Sequence, residues 1–287
     1  MERNSALPDV HRVKPLLPIH IDDVCIKGLR IKLCKDNGED SECSLAVIDV
    51  CTDLDKGFRG VHISRSIEAL LNVFNKFTYT SLLDIQYKLK IICKELLARH
   101  EYSYKASSRL SFEDVKNFDT APLTLIIASE VSRDGFEKYY LKVVGKGSTV
   151  CPCAQQVYAF IEKLGLINAP SHMQRASITL YVSSSKPIDV NVDELLDIVV
   201  TSFSAPMKTL LKRVDEYRLV KEAFSNPKFA EDVARETIHR AYRVFRDKLS
   251  RDSKIGVKVV SYESIHPYNL SVKIVQTVEN LDKMFSQ

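Results

Sequence analysis

Ser81-Leu82-Leu83-Asp84-Ile85-Gln86-Tyr87-Lys88-Leu89-Lys90-Ile91-Ile92-Cys93-Lys94-Glu95-Leu96-Leu97-Ala98-Arg99-His100 is the stretch on which the fold turns. Leu82, Ile85, Leu89, Ile92 and Leu96 recur at helical spacing, so the segment is expected to be a helix with one buried stripe. A second helical stretch, Ser66–Phe74, precedes it. Further upstream, Val24–Leu33 and Cys43–Val50 are β-rich runs separated by Lys35-Asp36-Asn37-Gly38, a hairpin signal. Downstream, strand-like runs return at Glu101–Ser107, Leu123–Val131 and Lys138–Val144. The order is ββααββ-like, and a looser copy follows. It comprises a strand at Ala176–Ser183, helices at Val192–Phe203 and Pro227–Leu249, and strands at Gly256–Tyr262 and Leu270–Val275. Pro227 is placed to open the second of those helices. Strands grouped on either side of helix pairs predict an α+β fold, with antiparallel sheets and helices on one face. Residues 1–20, with Pro8, Pro15 and Pro18, read as an extended arm. Residues 21–150 and 151–287 read as the two modules.

The 287 residues suffice for one large domain or two modules. Apolar residues at 45% and charged residues at 27% are ordinary for a soluble globular protein. The net charge of +4 is spread without a run of five basic residues, which argues against nucleic acid as a partner and suits an anionic small molecule. No apolar run approaches the roughly 18–20 residues that span a bilayer, and Met1-Glu2-Arg3-Asn4 lacks the apolar core of a signal peptide. The expected location is the cytoplasm, away from membranes. There the seven cysteines (Cys25, Cys34, Cys43, Cys51, Cys93, Cys151 and Cys153) are expected to stay reduced, most of them as small core residues, because an odd count in a reducing compartment argues against a disulfide framework. With nine glycines, a glycine-rich phosphate loop is not expected.

Five short segments carry side chains suited to chemistry. Cys151-Pro152-Cys153 stands ahead of the helical pattern Ala154–Leu164, where free N–H groups favour a thiolate as nucleophile or metal ligand. The plainer reading, two buried thiols at a tight turn, is equally weighted. Ser171-His172-Met173-Gln174-Arg175 lies just before a strand, and alone it reads as a surface loop. Leu210-Leu211-Lys212-Arg213-Val214-Asp215-Glu216 reads as a helix end turning from apolar to charged. Glu263-Ser264-Ile265-His266-Pro267 ends a strand; Glu263 and His266 share one site only if the strand stops or bulges between them, and Pro267 suits an ending. Gly60-Val61-His62-Ile63-Ser64-Arg65 runs into the first helix, with Ser64 a candidate cap. Together the segments supply thiolate, imidazole and carboxylate donors that could bind a borderline transition metal and leave one position open.

At these segments the sequence resembles the type IB GTP cyclohydrolase family. It carries that family's GxHxSR (Gly60–Arg65), CPC (Cys151–Cys153), HxQR (His172–Arg175), LLKRxDE (Leu210–Glu216) and ESIH (Glu263–His266) in family order across nearly the whole chain. Asn226-Pro227-Lys228-Phe229 resembles the family's NPKF segment. Two departures, Ile63 where methionine is frequent and Val214 where proline is, spare the ligand positions. The resemblance implies the tunnelling fold, two ββααββ modules per subunit, and a homotetramer (or homodimer) with sites near subunit boundaries. It implies GTP as substrate and one divalent metal per subunit, ferrous iron favoured and zinc or manganese as alternatives. The metal ligands it implies are Cys151, His172, Glu216 and His266, with Cys153 beside the metal as a supporting or reactive thiol. Glu263 would hold the guanine edge, and Arg65, Arg175, Lys212 and Arg213 the triphosphate, with His62 a further candidate for it. His62 and Cys153 are the implied proton carriers. Thr149–Gln155 and Pro170–Arg175 look closer to the archaeal branch, which makes the 2′,3′-cyclic phosphate for methanopterin-type cofactors. The competing expectations are another tunnelling-fold enzyme of purines or pterins, such as a nitrile reductase with cysteine as covalent nucleophile, against which a metal site at Cys151 speaks, and a zinc-stabilised binding module. Against the latter, CPC is a poor match for paired CxxC ligands.

Overall fold

The computed structural model describes residues 8–36, 42–73, 78–114 and 121–285. Contacts divide the chain into two compact units, Met1–Ser111 with Ile127–Tyr139, and Phe112–Ile126 with Tyr140–Gln287.

In the first unit β1 (Ile21–Lys35) and β2 (Glu42–Leu54) form an antiparallel hairpin, followed by α1 (Ile63–Val73), β3 (Thr78–Tyr79), α2 (Leu82–Arg99), β4 (Lys105–Asp114, up to Ser111) and β5 (Leu123–Ser132, from Ile127 onward). The strands run in the order β3-β1-β2-β4-β5. The hairpin is present, although Asn37 and Gly38 of its expected turn lie outside the described residues, as does Phe74 at the expected end of α1. The α2 stripe behaves as its spacing predicts: Leu82, Ile85, Leu89, Ile92 and Leu96 are all buried. Ser81 caps the helix, its hydroxyl accepting the Asp84 N–H at 3.1 Å. Cys93 is a core residue as expected. Its thiol donates to Ser108 and the Ser129 carbonyl, and burial pushes it up to about 12. Gly28 sits at φ +77° at an irregularity in the β1–β2 register, and its N–H meets the Asp49 carboxylate at 2.8 Å.

Two expectations need correction here. The strand expected from Glu101 begins at Lys105, because the chain turns after His100 and the Asp53 carboxylate takes the Tyr104 and Lys105 N–H groups at 2.7 and 2.8 Å. Four of the seven cysteines are disulfide-bonded, Cys25 to Cys51 and Cys34 to Cys43. The register explains this: in the hairpin Cys25 faces Cys51 and Cys34 faces Cys43, so each pair shares one face of the ladder.

The second unit holds β6 (Glu137–Val150, from Tyr140 onward), α3 (Pro152–Glu162), β7 (Met173–Ser184), α4 (Val192–Val200), β8 (Ala205–Pro206), α5 (Arg213–Ser225), α6 (Ala230–Phe245), β9 (Lys254–Tyr262), β10 (Leu270–Thr277) and α7 (Val278–Phe285). Its strands run β6-β7-β9-β10, with β8 beside β6, and β9 pairs antiparallel with both β7 and β10. Helix α6 packs on β7, β9 and β10, burying Val233, Ile238, Ala241 and Phe245. Gly256 lies opposite Tyr181 in the β7–β9 register, and any Cβ there would fall 1.9 Å from the ring, so only glycine fits under that tyrosine. Helix α3 leaves a large apolar flank in solvent: Phe160 is 86% exposed and Ile161 66%, beside exposed Val157.

Helix α6 starts at Ala230 rather than Pro227. Its first turn is closed by Asp232, which accepts the Phe229 N–H at 3.1 Å, and Pro227 stays in the preceding extended link. Helix α4 stops at Val200, short of Phe203, which is buried instead where Gly147 leaves room for its ring. The α+β layout is as expected, with antiparallel strand pairs apart from the short β3, which lies parallel to β1, and α7 is an addition that the apolar pattern did not signal.

Candidate functional site

One end of the second unit's sheet collects three of the five motifs. Strand β6 ends at Val150 and delivers Cys151; β7 begins at Met173, just after His172; β9 ends at Tyr262, just before Glu263. The Cys151 N–H donates to the His172 carbonyl at 3.1 Å, and the Ser171 hydroxyl donates to the Cys151 carbonyl at 2.6 Å. Arg175, inside β7 rather than before it, faces Tyr262 across the β7–β9 ladder, which sets the HxQR segment beside the start of ESIH. The strand does stop before Glu263, so Glu263 and His266 are released from alternation, as their sharing a site requires.

Cys151 is the N-cap of α3, with Pro152 opening the helix, and its sulfur accepts the Ala154 N–H at 3.5 Å. This is helix-start chemistry, an anion-favouring position filled by a thiol. Cys153 is exposed in the same turn. His172 is half-buried, and its Nδ1 lies 2.9 Å from Gln174 Oε1, so the amide fixes the imidazole through that nitrogen. Glu263 takes the Ser261 hydroxyl at 2.8 Å, while His266 stacks on Tyr268 with rings 5.1 Å apart and 4° from parallel.

The LLKRxDE segment is a helix start, not the helix end expected. Leu210 and Leu211 precede α5, and Asp215 and Glu216 lie in its first turn, where acids complement the helix dipole. Further along α5, Leu219, Ala223 and Phe224 pack with Val150 and Met173, and Gln155 of α3 donates to the Phe224 carbonyl at 2.9 Å. The helix is thereby tied to the CPC and HxQR segments through its C-terminal half, while Glu216, Lys212 and Arg213 stay exposed at its other end.

In the first unit, the GxHxSR segment builds a polar string. His62 Nε2 lies 3.0 and 3.2 Å from the two Asp9 oxygens, and its Nδ1 lies 3.0 Å from the Tyr102 hydroxyl. The Tyr102 hydroxyl also takes the His62 main-chain N–H and meets His100 Nδ1, each at 2.9 Å, and His100 Nε2 meets the Ser66 hydroxyl at 2.9 Å. Desolvation, then the charges of Arg65, His62 and Arg99, push His100 down to about 4. Desolvation tends to raise Asp9, but the hydrogen bond and charge of His62, with the Arg12 and His11 N–H groups, outweigh it and hold the carboxyl below its usual range. Arg65 donates to the Arg99 carbonyl at 3.2 Å and so anchors α1 to α2. Ser64 lies inside α1, not at its cap.

Asp9, His11 and His62 are the one group among the described residues whose donor atoms lie within 4.8 Å of one another, close enough to share a metal ion. Hydrogen bonds already account for the approach of Asp9 to His62. Sequence reasoning missed Asp9, His11, Tyr102 and His100; the only trace was two histidines in a proline-rich arm. Of the four expected metal ligands, Cys151 and His172 are brought together through the backbone, whereas Glu216 and His266 are exposed on separate segments.

Residues 7–271 match the model of the type I GTP cyclohydrolase family, folE2. The chain belongs to that family. Two relatives bear on the branch. A GTP cyclohydrolase MptA of Aeropyrum pernix is 34% identical over 286 residues, covering 97% of this chain and 99% of the relative. A GTP cyclohydrolase MptA of Methanosphaera stadtmanae is 30% identical, covering 92% of this chain and 93% of the relative. Family members are hydrolases of C–N bonds in cyclic amidines, and this chain is one of them. The fold is the tunnelling fold: a uricase from Arthrobacter globiformis superposes with a TM-score of 0.50 at 10% identity, covering 90% of this chain and 93% of the uricase. No helix among the described residues is long and apolar enough to cross a membrane.

Proposed function

We propose that the chain opens the imidazole ring of GTP at C8, releases formate and leaves a 7,8-dihydroneopterin phosphate, the 2′,3′-cyclic phosphate being favoured. The observation that carries this reading is the gathering of CPC, HxQR and ESIH at one sheet end, with Cys151 bonded through its backbone to His172. The similarity to archaeal MptA relatives supports the cyclic product and a methanopterin-type pathway.

The donor set suits a metal of intermediate softness: one thiolate from Cys151, imidazoles from His172 and His266, and a carboxylate from Glu216. The helix-start position of Cys151 and the amide that fixes His172 both favour ligation. A divalent metal held there, ferrous iron first and zinc or manganese as alternatives, supplies Lewis acidity at neutral pH. The Glu263 carboxylate accepts the guanine N1–H and 2-amino hydrogens, a paired-donor edge that adenine lacks. Arg175, Lys212, Arg213 and Arg65 offer positive charge to the triphosphate. Cys153 and His62 move protons. The exposure of Cys153, Glu216 and His266 fits a site completed on assembly into a homotetramer or homodimer in the cytoplasm.

Anaerobic protein is incubated with GTP and ferrous iron, manganese or zinc, and formate and pterin fluorescence are followed. Metal-dependent formate release is expected, and Glu263→Gln is expected to lower kcat/KM about 100-fold or more, since a site built to accept N–H donors loses its match. Binding of GTP without formate under every metal would overturn the reading in favour of another tunnelling-fold purine or pterin enzyme.

A further inference from the structure

His62 was assigned a proton-carrying role, yet both of its ring nitrogens are already engaged, Nε2 by Asp9 and Nδ1 by Tyr102. Its side chain is 12% exposed, whereas that of Asp9 is 40% exposed. We infer that Asp9 is the group that takes up and returns the proton, that His62 orients it through its Nε2–H, and that Tyr102, His100 and Ser66 are the positioning string that holds His62 in the tautomer this requires. The inference rests on the proton transfer proposed above for His62 and relocates the proton to Asp9, its hydrogen-bond partner.

The tautomer follows from counting donors. Asp9 is ionised, so the hydrogen between it and the imidazole belongs to His62 Nε2. Neutral His62 then has a bare Nδ1, which must accept, and the donor it meets among the described residues is the Tyr102 O–H. The Tyr102 oxygen has two lone pairs, filled by the His62 main-chain N–H and by His100 Nδ1–H. That leaves His100 Nε2 as an acceptor for the Ser66 hydroxyl. Every hydrogen points outward, from Ser66 through His100 and Tyr102 to His62 and Asp9, and no group is left over. Burial enforces the arrangement: Ser66, His100 and Tyr102 are 4%, 0% and 7% exposed, so water cannot replace a missing partner. The buried end is also clamped by the main chain, with Arg133 donating to the His100 carbonyl at 3.1 Å and to the Leu97 carbonyl at 2.7 Å.

At the open end, the Asp9 carboxylate is oriented by the His11 N–H at 3.2 Å and by Arg12 Nε at 3.3 Å, and Arg12 in turn pairs with Glu101. His11 is seated by its carbonyl, which accepts the Arg59 N–H at 2.9 Å, and by packing over Gly60, where a Cβ would sit 3.3 Å from its ring. In the proton step, an O–H or N–H bond of the bound substrate or its attacking water breaks, and its electron pair stays on that heteroatom. The proton forms an O–H bond on Asp9, while His62 keeps its Nε2–H and steadies the carboxyl. The reverse transfer delivers the same proton to a departing nitrogen, so none is gained or lost overall.

The test compares Asp9→Asn, His62→Ala, their double variant and Tyr102→Phe in the metal-loaded full chain. Asparagine still caps the short helical turn at Val10–Arg12, and phenylalanine keeps the packing of Tyr102 on Phe58, so both variants should fold. Expected are a loss of about 100-fold in kcat for Asp9→Asn with KM for GTP within about twofold, a similar loss for His62→Ala, and a double variant no worse than either, as for groups that act as one unit. Independently of activity, ¹⁵N-histidine NMR should report His62 as the Nε2–H tautomer, and Tyr102→Phe should abolish that preference. If His62→Ala kept its kcat, the proton-carrying role itself would fall. If His62→Ala lost activity while Asp9→Asn kept it, or if the Nδ1–H tautomer were found, that role would stand and the present inference would be overturned.

Discussion

The His62 string and the Cys151 site are built on opposite plans. Around His62, each polar atom from Ser66 to Asp9 has a partner, three of the five residues are buried, and the geometry is finished within the first unit. Around Cys151, the backbone is fixed by the His172 carbonyl and the start of α3, but Cys153, Glu216 and His266 of the proposed site face solvent. A closed hydrogen-bond network sets the protonation pattern of what it holds. An open set of donors on rigid backbone can be completed by a metal, a substrate or another chain. The contrast teaches that burial and satisfaction mark where a residue is positioned, while exposed donors at element ends mark where something binds.

The largest expected effect tests the open side of this contrast. Cys151→Ser should lower formate release about 1,000-fold and remove bound metal, because hydroxyl is a poor substitute for a thiolate ligand. Cys93→Ser, a change to a thiol that burial holds at about 12, should leave metal content as in the parent protein. Metal analysis of the two variants decides it, and equal metal in both would break the distinction.

The hairpin provides the next test. Reduction of Cys25–Cys51 and Cys34–Cys43 should lower stability by about 2–4 kcal/mol in urea unfolding, given sequence separations of 26 and 9. Activity measured below the unfolding transition should change little, because neither pair belongs to the proposed site.

The closed side predicts a pH dependence. His100 is held near 4 in the fold against an ordinary value of about 6.5. Its contribution is therefore complete above about pH 6.5 and is lost as pH falls toward 4, on the order of 3 kcal/mol. Unfolding of the parent and of His100→Gln at pH 7 and pH 4.5 should show the loss in the parent and a smaller one in the variant. The smallest effect concerns the end of the string: Ser66→Ala should cost about 1–2 kcal/mol by leaving His100 Nε2 without its donor.

Much of this was legible in the sequence. The α2 stripe fixed a helix because period and burial agree there, and the motif order pointed to the family because five spaced segments had to coincide. Strand ends were harder. Tyr102 and Tyr104 favour a strand, but Asp53, about fifty positions upstream, draws the Tyr104 and Lys105 N–H groups and starts the strand later. LLKRxDE misled because an apolar pair followed by charge looks alike at either end of a helix, and only the cap decides. The disulfides were missed because compartment was weighed in place of register, which sets Cys25 against Cys51 and Cys34 against Cys43. The His62 string was invisible for a related reason. Asp9, His62 and His100 are far apart in the chain, and nothing local marks a tyrosine hydroxyl as the joint between two imidazoles.

Helix α3 carries Cys151 and Cys153 at its start and the exposed Val157, Phe160 and Ile161 along its flank. Water is a poor neighbour for that flank, and within the proposed assembly a copy of the same chain would be a fitting cover for it. Under that assembly, packing on the flank and the pose of the thiols become mechanically linked through one rigid rod. Catalytic output per chain would then rise with protein concentration until the flank is covered, by mass action. The helix would serve as a census of its own kind, reporting to the thiols at its tip whether enough copies are present.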